Sequence, residues 1–339
     1  MQQQERHHDG SKQAGEKDTA APSAGQKGAP VAILTLNPAV DITYTVPQLI
    51  ADQKAHALST RFDPGGNGIN VGRGLKRLAI PADSFCVTAG ETGHLLERLL
   101  ASHLDTVHYE RVDGETRING TILEQESGTQ YEVSGVGPSI PPGQLDALLT
   151  AFLRHAGRGF GVLTGSIQPD LPAGLYADLV RRIRAAGGRP VVDAHHDVLR
   201  LAIEACPFLV KPNRHELETL VGRTLPTPEL VAEEARHLQQ QGVDYVCVSL
   251  GSAGAVLTGP ENSLHAGAVE VQVVSTVGAG DSMVAGLLAG FVRGLSPAET
   301  LRLAMACGGG TVQQPGTELF SAEAVAALTG KISIREMAI

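Results

Sequence analysis

Positions 31–36 (VAILTL) are apolar except for Thr35, and apolar residues then alternate at Ile42, Tyr44 and Val46. The apolar run predicts a strand buried on both faces, and the alternation predicts one with a face left open. The segments 54–62 (KAHALSTRF), 116–123 (TRINGTIL) and 129–134 (TQYEVS) predict further short strands, with EQESG turning between the last two. Together these segments, from about 42–62 and 116–134, suggest a small sheet apart from the main core. From about residue 145 the pattern becomes regular: strand GVLTGS, helix AGLYADLVRRIRAAGG, strands PVVDA and PFLVKPN, a helix from Pro228, strand YVCVSL. Such alternation predicts βαβ units and a mainly parallel sheet with helices on both faces. Thr227 before Pro228 suits a helix start, and Gly187-Gly188 a helix stop. The expected architecture is one α/β domain over 29–330. It follows a polar tail at 1–28 that mixes both charges, lacks the apolar stretch of a secretory signal and is expected to be disordered. His7-His8 within that tail is read as incidental.

Composition narrows the partners. Of the 339 residues 42% are hydrophobic and 19% charged, as in a protein with a large core, and no apolar run reaches the ~18 residues needed to cross a bilayer. The net charge of −9 argues against a nucleic-acid surface and leaves small anions as partners. Cys86, Cys206, Cys247 and Cys307 form no CxxC and read as reduced thiols, which predicts a cytoplasmic protein.

Ligands of open parallel sheets sit beyond the carboxyl ends of the strands, so the loops there carry the candidate chemistry. In DPGGNGINVGRGLKRL (63–78) three glycines precede a helix expected to start near Asn70. Gly66 and Gly68 match the start of G-x-G-x-x-G, but Val71 occupies the third position, so the dinucleotide reading fails. STVGAGDSM (275–283) is expected to follow an alternating strand, VEVQVV, and to open a helix through Val284, Leu287, Leu288, Phe291 and Val292. Backbone N–H groups at such a junction hold anions, and the loop lacks the lysine of a Walker A motif. On this loop alone Asp281 is either a helix N-cap or a base for an attacking hydroxyl. KPNRHE (211–216), SLGSAG (249–254) and PGT (315–317) add three more strand-end loops with phosphate- or Mg²⁺-compatible residues.

These segments, in this order, resemble the ribokinase-like PfkB carbohydrate kinases from about Val31 to Thr317. GGNGINVGRGLKRL resembles that family's N-terminal signature and STVGAGDSMVAG its C-terminal one. The resemblance implies a three-layer α/β/α sandwich with a mainly parallel sheet and a small β-sheet lid. It implies Asp281 as catalytic base, with the N–H groups of Gly278, Ala279 and Gly280 as an anion hole. Asp41, Gly66 and Asn70 would contact the sugar, and Lys54, Arg117 and Ser166 the phosphate it already carries. Lys211, Asn213, Ser249 and Gly251 would lie by the ATP phosphates, with Asn213, Glu216 and Asp193 holding Mg²⁺ through water. A monovalent cation and a homodimer through the lid are further implied partners. His195-His196 stands where relatives carry small residues, either as a second metal site or as a reshaped nucleotide edge.

Within the family the chain resembles the phosphohexose kinases through TLNPAVD, GETRIN and LTGSIQPDLP. The expected reaction is ATP-dependent phosphorylation of a ketohexose phosphate. PGG and PGT lean toward fructose 6-phosphate as the acceptor, and GETRIN and KPNRHELE toward fructose 1-phosphate, with tagatose 6-phosphate a third choice. Asn67 and His56 depart from the usual pattern on the sugar side. A catalytically silent regulator and a nicotinamide oxidoreductase are the rival classes. The intact Asp281 loop speaks against the first, and the missing fingerprint against the second.

Overall fold

The computed structural model describes residues 29–338, so the reading of the tail lies outside the described residues. In chain order the strands are β1 (Val31–Thr35), β2 (Ala39–Val46), β3 (Ser59–Gly65), β4 (Ala82–Ala89), β5 (Thr106–Val112), β6 (Arg117–Glu124), β7 (Gln130–Val133), β8 (Phe160–Thr164), β9 (Arg189–Asp193), β10 (Leu209–Val210), β11 (Tyr245–Ser249), β12 (Ala255–Thr258), β13 (Ser263–Ala266) and β14 (Ile334–Met337). The helices are α1 (Asn67–Arg77), α2 (Gly90–His103), α3 (Pro142–Ala156), α4 (Leu175–Ala185), α5 (His196–Glu204), α6 (Arg214–Val221), α7 (Pro228–Gln240), α8 (Ala279–Val292), α9 (Pro297–Thr311) and α10 (Ala322–Thr329).

Ten strands form one sheet in the order β14-β13-β12-β11-β10-β9-β8-β1-β4-β5. The stretch from β11 to β5 is parallel throughout, and β12, β13 and β14 extend it antiparallel. Alternate residues of β1 serve two cores: Ala32 and Leu34 pack toward α3–α7, Val31 and Ile33 toward α1, α8, α9 and α10. Burial on both faces is what the apolar run at 31–36 demands. Helix α2 joins the second layer through Leu96 and Leu100, which pack on Val40, Ile69 and Cys86. Three of the free cysteines are fully buried, and Cys206 is half-exposed.

The four remaining strands make a separate sheet in the order β3-β2-β6-β7. Its strands alternate: Asp41, Thr43, Thr45, Arg61, Asn119 and Thr121 line a cavity of 310 Å³ against the main body. Tyr44, Phe62, Ile118 and Tyr131 take the other face and are 39–46% exposed.

Three expected elements are displaced. β3 begins at Ser59 rather than 54, so Lys54 and His56 lie in an exposed segment ahead of the strand. The ladder with β2 starts only at the Thr45–Ser59 pair, and ahead of it Leu58 N–H donates to the carbonyl of Thr45, which leaves 54–57 outside the ladder. Helix α1 begins at Asn67, three residues before Asn70, with Gly66 at φ 120° as its cap. VEVQVV is not a strand: the N–H groups of Val274 and Ser275 both turn to the carbonyl of Val312 at the end of α9.

Candidate active site

Asp281 occupies the third position of α8, so it is not the cap; that position belongs to Gly278, in the left-handed region at φ 75°. Only glycine adopts this conformation at little cost, and it turns the chain sharply enough to start the helix there. Asp281 is buried, 5% exposed, and its two carboxylate oxygens accept one hydrogen bond each, from the Nδ2 of Asn67 and of Asn70, both at 2.9 Å. Asn67 and Asn70 stand three apart on α1, a spacing that places both on one helix face. Burial pushes the Asp281 carboxyl up to about 6, Asp193 adds to the rise, and the two amides and Lys211 work against it.

Behind Asn70, Arg73 donates to its Oδ1 at 3.2 Å and to the carbonyl of Thr317 at 3.1 Å. Arg73 is 2% exposed, and its charge faces Glu318 at 3.7 Å. The PGT turn is thereby fixed to the same helix that holds Asp281.

Lys211 follows β10 and Asp193 ends β9; their charged ends lie 3.4 Å apart, both buried. Burial disfavours the ammonium, but Asp193 above all, with Glu216 and Asp281, outweighs it and holds the Lys211 pKa above its ordinary value. Lys211 therefore stays cationic beside the start of α8. A Cβ added at Gly280 would lie 3.4 Å from Lys211 Nζ, so the bare position keeps space open between ammonium and helix terminus. The N–H of Ala279 is already drawn to Thr276 O at 3.3 Å, whereas those of Gly278 and Gly280 meet no backbone acceptor among the described residues. Of the three N–H groups expected to form an anion hole, two are therefore open.

Asn213 and Glu216 form a reciprocal capping box at the start of α6: Asn213 Oδ1 accepts from Glu216 N, and Glu216 accepts from Asn213 N at 2.8 Å. The other Glu216 oxygen takes a short hydrogen bond from His195 Nδ1. That bond, more than any other influence, raises the His195 pKa. Burial works against the Glu216 carboxylate, but the His195 and Asn213 donors outweigh it and hold its pKa below the usual range. The β11 end is brought alongside by a bridge between Asn213 and Ser249. Ser249 and Gly251, with Thr276, Ala279, Gly280 and Met283, line a second cavity of 580 Å³.

On the lid, Asp41 accepts from Asn119 at 2.8 Å, and burial raises its pKa. Arg117 opens β6 and donates to the carbonyl of Asn37 at 2.8 Å, while the Asn37 amide donates to Ser166 Oγ at 3.2 Å. Burial lowers the Arg117 pKa, with Asp41 opposing. Asn37 thus gathers Arg117 and Ser166 into one cluster. Lys54 borders neither cavity.

Sequence reasoning passed over Asn37 and Arg73 and singled out Asn67 only as a departure on the sugar side. Asn37 sits in TLNPAVD, and the N-x-x-N spacing of 67 and 70 is the signal that pairs Asn67 with Asn70. Arg73 has no comparable signal in the sequence.

Two cavities separated by one glycine-rich helix start, under a β-sheet lid, define a sugar-kinase class of fold. Residues 34–324 match the pfkB family carbohydrate kinases, and the chain belongs to that family. It is 35% identical over 309 residues to a 1-phosphofructokinase of Rhodobacter capsulatus, covering 91% of this chain and 98% of that protein. It is 32% identical over 299 residues to the ATP-dependent 6-phosphofructokinase isozyme 2 of Mycobacterium tuberculosis, covering 87% and 88%. Phosphofructokinase-2 from Escherichia coli, solved in complex with potassium, superposes with a TM-score of 0.85 at 30% identity over 89% of this chain and 99% of that one. The sandwich and lid expected from the resemblance are therefore present. Among the described residues no helix is long and apolar enough to cross a membrane.

Proposed function

We propose that this chain is an ATP-dependent 1-phosphofructokinase that phosphorylates the primary hydroxyl of fructose 1-phosphate to give fructose 1,6-bisphosphate. One observation carries the kinase mechanism: Ser275 and Val277 face the lid cavity, while Thr276, Ala279 and Gly280 face the other. The loop is a wall between an acceptor site and a nucleotide site, and Asp281 stands just behind it. In this reading Asp281 takes the hydroxyl proton, and the open N–H groups of Gly278 and Gly280 with Lys211 stabilise the moving phosphoryl group. Asp41, Gly66 and Asn70 orient the sugar, Arg117 and Ser166 hold its phosphate, and Ser249 and Gly251 border the nucleotide. Lys54 is given no role.

Asp193, Asn213 and Glu216 offer hard oxygen donors suited to Mg²⁺, and because both Glu216 oxygens are engaged they would hold the ion through its own waters. When bound, the ion neutralises phosphate charge. The four exposed apolar side chains on the outer lid face support dimerisation through the lid.

The choice of fructose 1-phosphate over the 6-phosphate reverses the lean from PGG and PGT. Relatives named 1-phosphofructokinase from Rhodobacter capsulatus and Bacillus subtilis match at 35% and 33% identity, which favours the alternative reading. A coupled ADP-release assay comparing kcat/KM for fructose 1-phosphate, fructose 6-phosphate, tagatose 6-phosphate and free fructose tests it. Fructose 1-phosphate should lead; preference for the 6-phosphate would overturn the substrate, and equal use of free fructose the phosphate site.

A further inference from the structure

At the opposite ends of the parallel strands from the active site, Asp83 of β4, His108 of β5 and His155 near the end of α3 converge. One ligand atom from each lies within 4.8 Å of the other two. Asp83 Oδ1 and His108 Nε2 are 3.3 Å apart. We propose that these three side chains form a binding site for a divalent transition-metal ion of the zinc type.

The surroundings are arranged for ligation. Phe85 pairs with His108 across the β4–β5 ladder, and the two rings stack at 4.5 Å and 14°. Phe85 also touches the His155 ring, at 5.3 Å, and is itself fully buried, so one fixed aromatic ring orients both imidazoles. His155 Nδ1 lies 3.1 Å from the carbonyl of Ala151, which can only accept. That bond fixes the tautomer with the proton on Nδ1 and leaves Nε2 with a free lone pair, the arrangement in which metal-bound histidines are normally held by an outer partner. All three side chains are half-buried, so solvent reaches the site and supplies a fourth ligand.

Two imidazoles and one carboxylate form a set that zinc, cobalt and nickel accept, whereas Mg²⁺ prefers oxygen donors alone. Zinc–ligand bonds of about 2 Å require the three atoms to draw together from their present spacing, a shift that side-chain rotation supplies. A bound ion would clip the end of α3 to β4 and to β5, the edge strand of the ten-stranded sheet. Its role is therefore to hold an edge, remote from phosphoryl transfer.

The test uses the full-length protein with Mg²⁺ in excess, titrated with Co²⁺ and Zn²⁺ alone. Wild type should bind one equivalent of Co²⁺ with the visible absorption of a four-coordinate ion, and zinc should raise its Tm by several degrees. Asp83→Asn, His108→Gln and His155→Gln should each weaken that equivalent about 100-fold and abolish the Tm shift, while kinase turnover with ATP and Mg²⁺ stays at the wild-type rate and reports an intact fold. Zinc or cobalt binding unchanged in these variants, no binding by wild type, or binding lost instead in a His7→Gln, His8→Gln double variant would each overturn the proposal.

Discussion

The two walls of the cleft are built on different terms. On the α1–α8 wall, Asn67, Asn70, Asp281 and Arg73 are tied by hydrogen bonds of 2.9–3.2 Å, largely out of solvent. The lid wall is a four-stranded sheet that turns large apolar side chains outward and meets the body across a cavity. The first wall is pre-organised, so its groups need no rearrangement when charge develops. The second is held by fewer contacts and, on the function proposed above, is the wall that would adapt to a sugar.

If the tied wall sets the chemistry, Asp281→Asn should lower kcat by about 10³-fold or more and leave the ATP dissociation constant unchanged, as measured by ADP release and by nucleotide titration. If the lid wall sets the choice of acceptor, Arg117→Ala should reduce kcat/KM for a sugar phosphate by about 30-fold, the worth of a charge-assisted hydrogen bond, and leave free fructose unaffected. A pH profile separates the walls further. As the proposed base, Asp281 would act only when ionised, so wild-type kcat should fall as pH drops through about 6. Asn67→Ala removes a donor that lowers this pKa. The acid limb should therefore move to higher pH, with kcat down about fivefold at pH 6 and less at pH 8. The smallest effect is expected from Phe62→Lys on the outer lid face: sedimentation should show dimer loss, with kcat/KM changing by about twofold.

β1 and the capped start of α7 were legible because each is dictated locally, by burial on both faces or by the Thr227 cap. VEVQVV was misread because alternation alone does not make a strand without a neighbour to pair with. Val273 and Val274 remain 61% and 54% exposed. Lys54 was assigned to the lid for a similar reason: its segment looked extended, but pairing begins later. The Asp281 loop is a bare helix start, as the sequence suggests, but no strand leads into it, and its two asparagine partners lie more than 200 residues earlier in the chain. Such long-range contacts, like the buried path from Asn70 through Arg73 to Thr317, leave only a faint periodic trace in the sequence. Asp83, His108 and His155 leave none, because their spacing follows from the sheet order.

The two amides that hold Asp281 also constrain its proton inventory. Asn67 Nδ2 and Asn70 Nδ2 are donors only, and the Asn70 oxygen is occupied by Arg73. If Asp281 is the base proposed above, a proton it gains in one turnover has no outlet through these partners and must depart with product or entering water. Regeneration of the proposed base would in that way be coupled to opening of the cleft, and a solvent isotope effect on the steady-state rate would report on the release step as well as on the transfer.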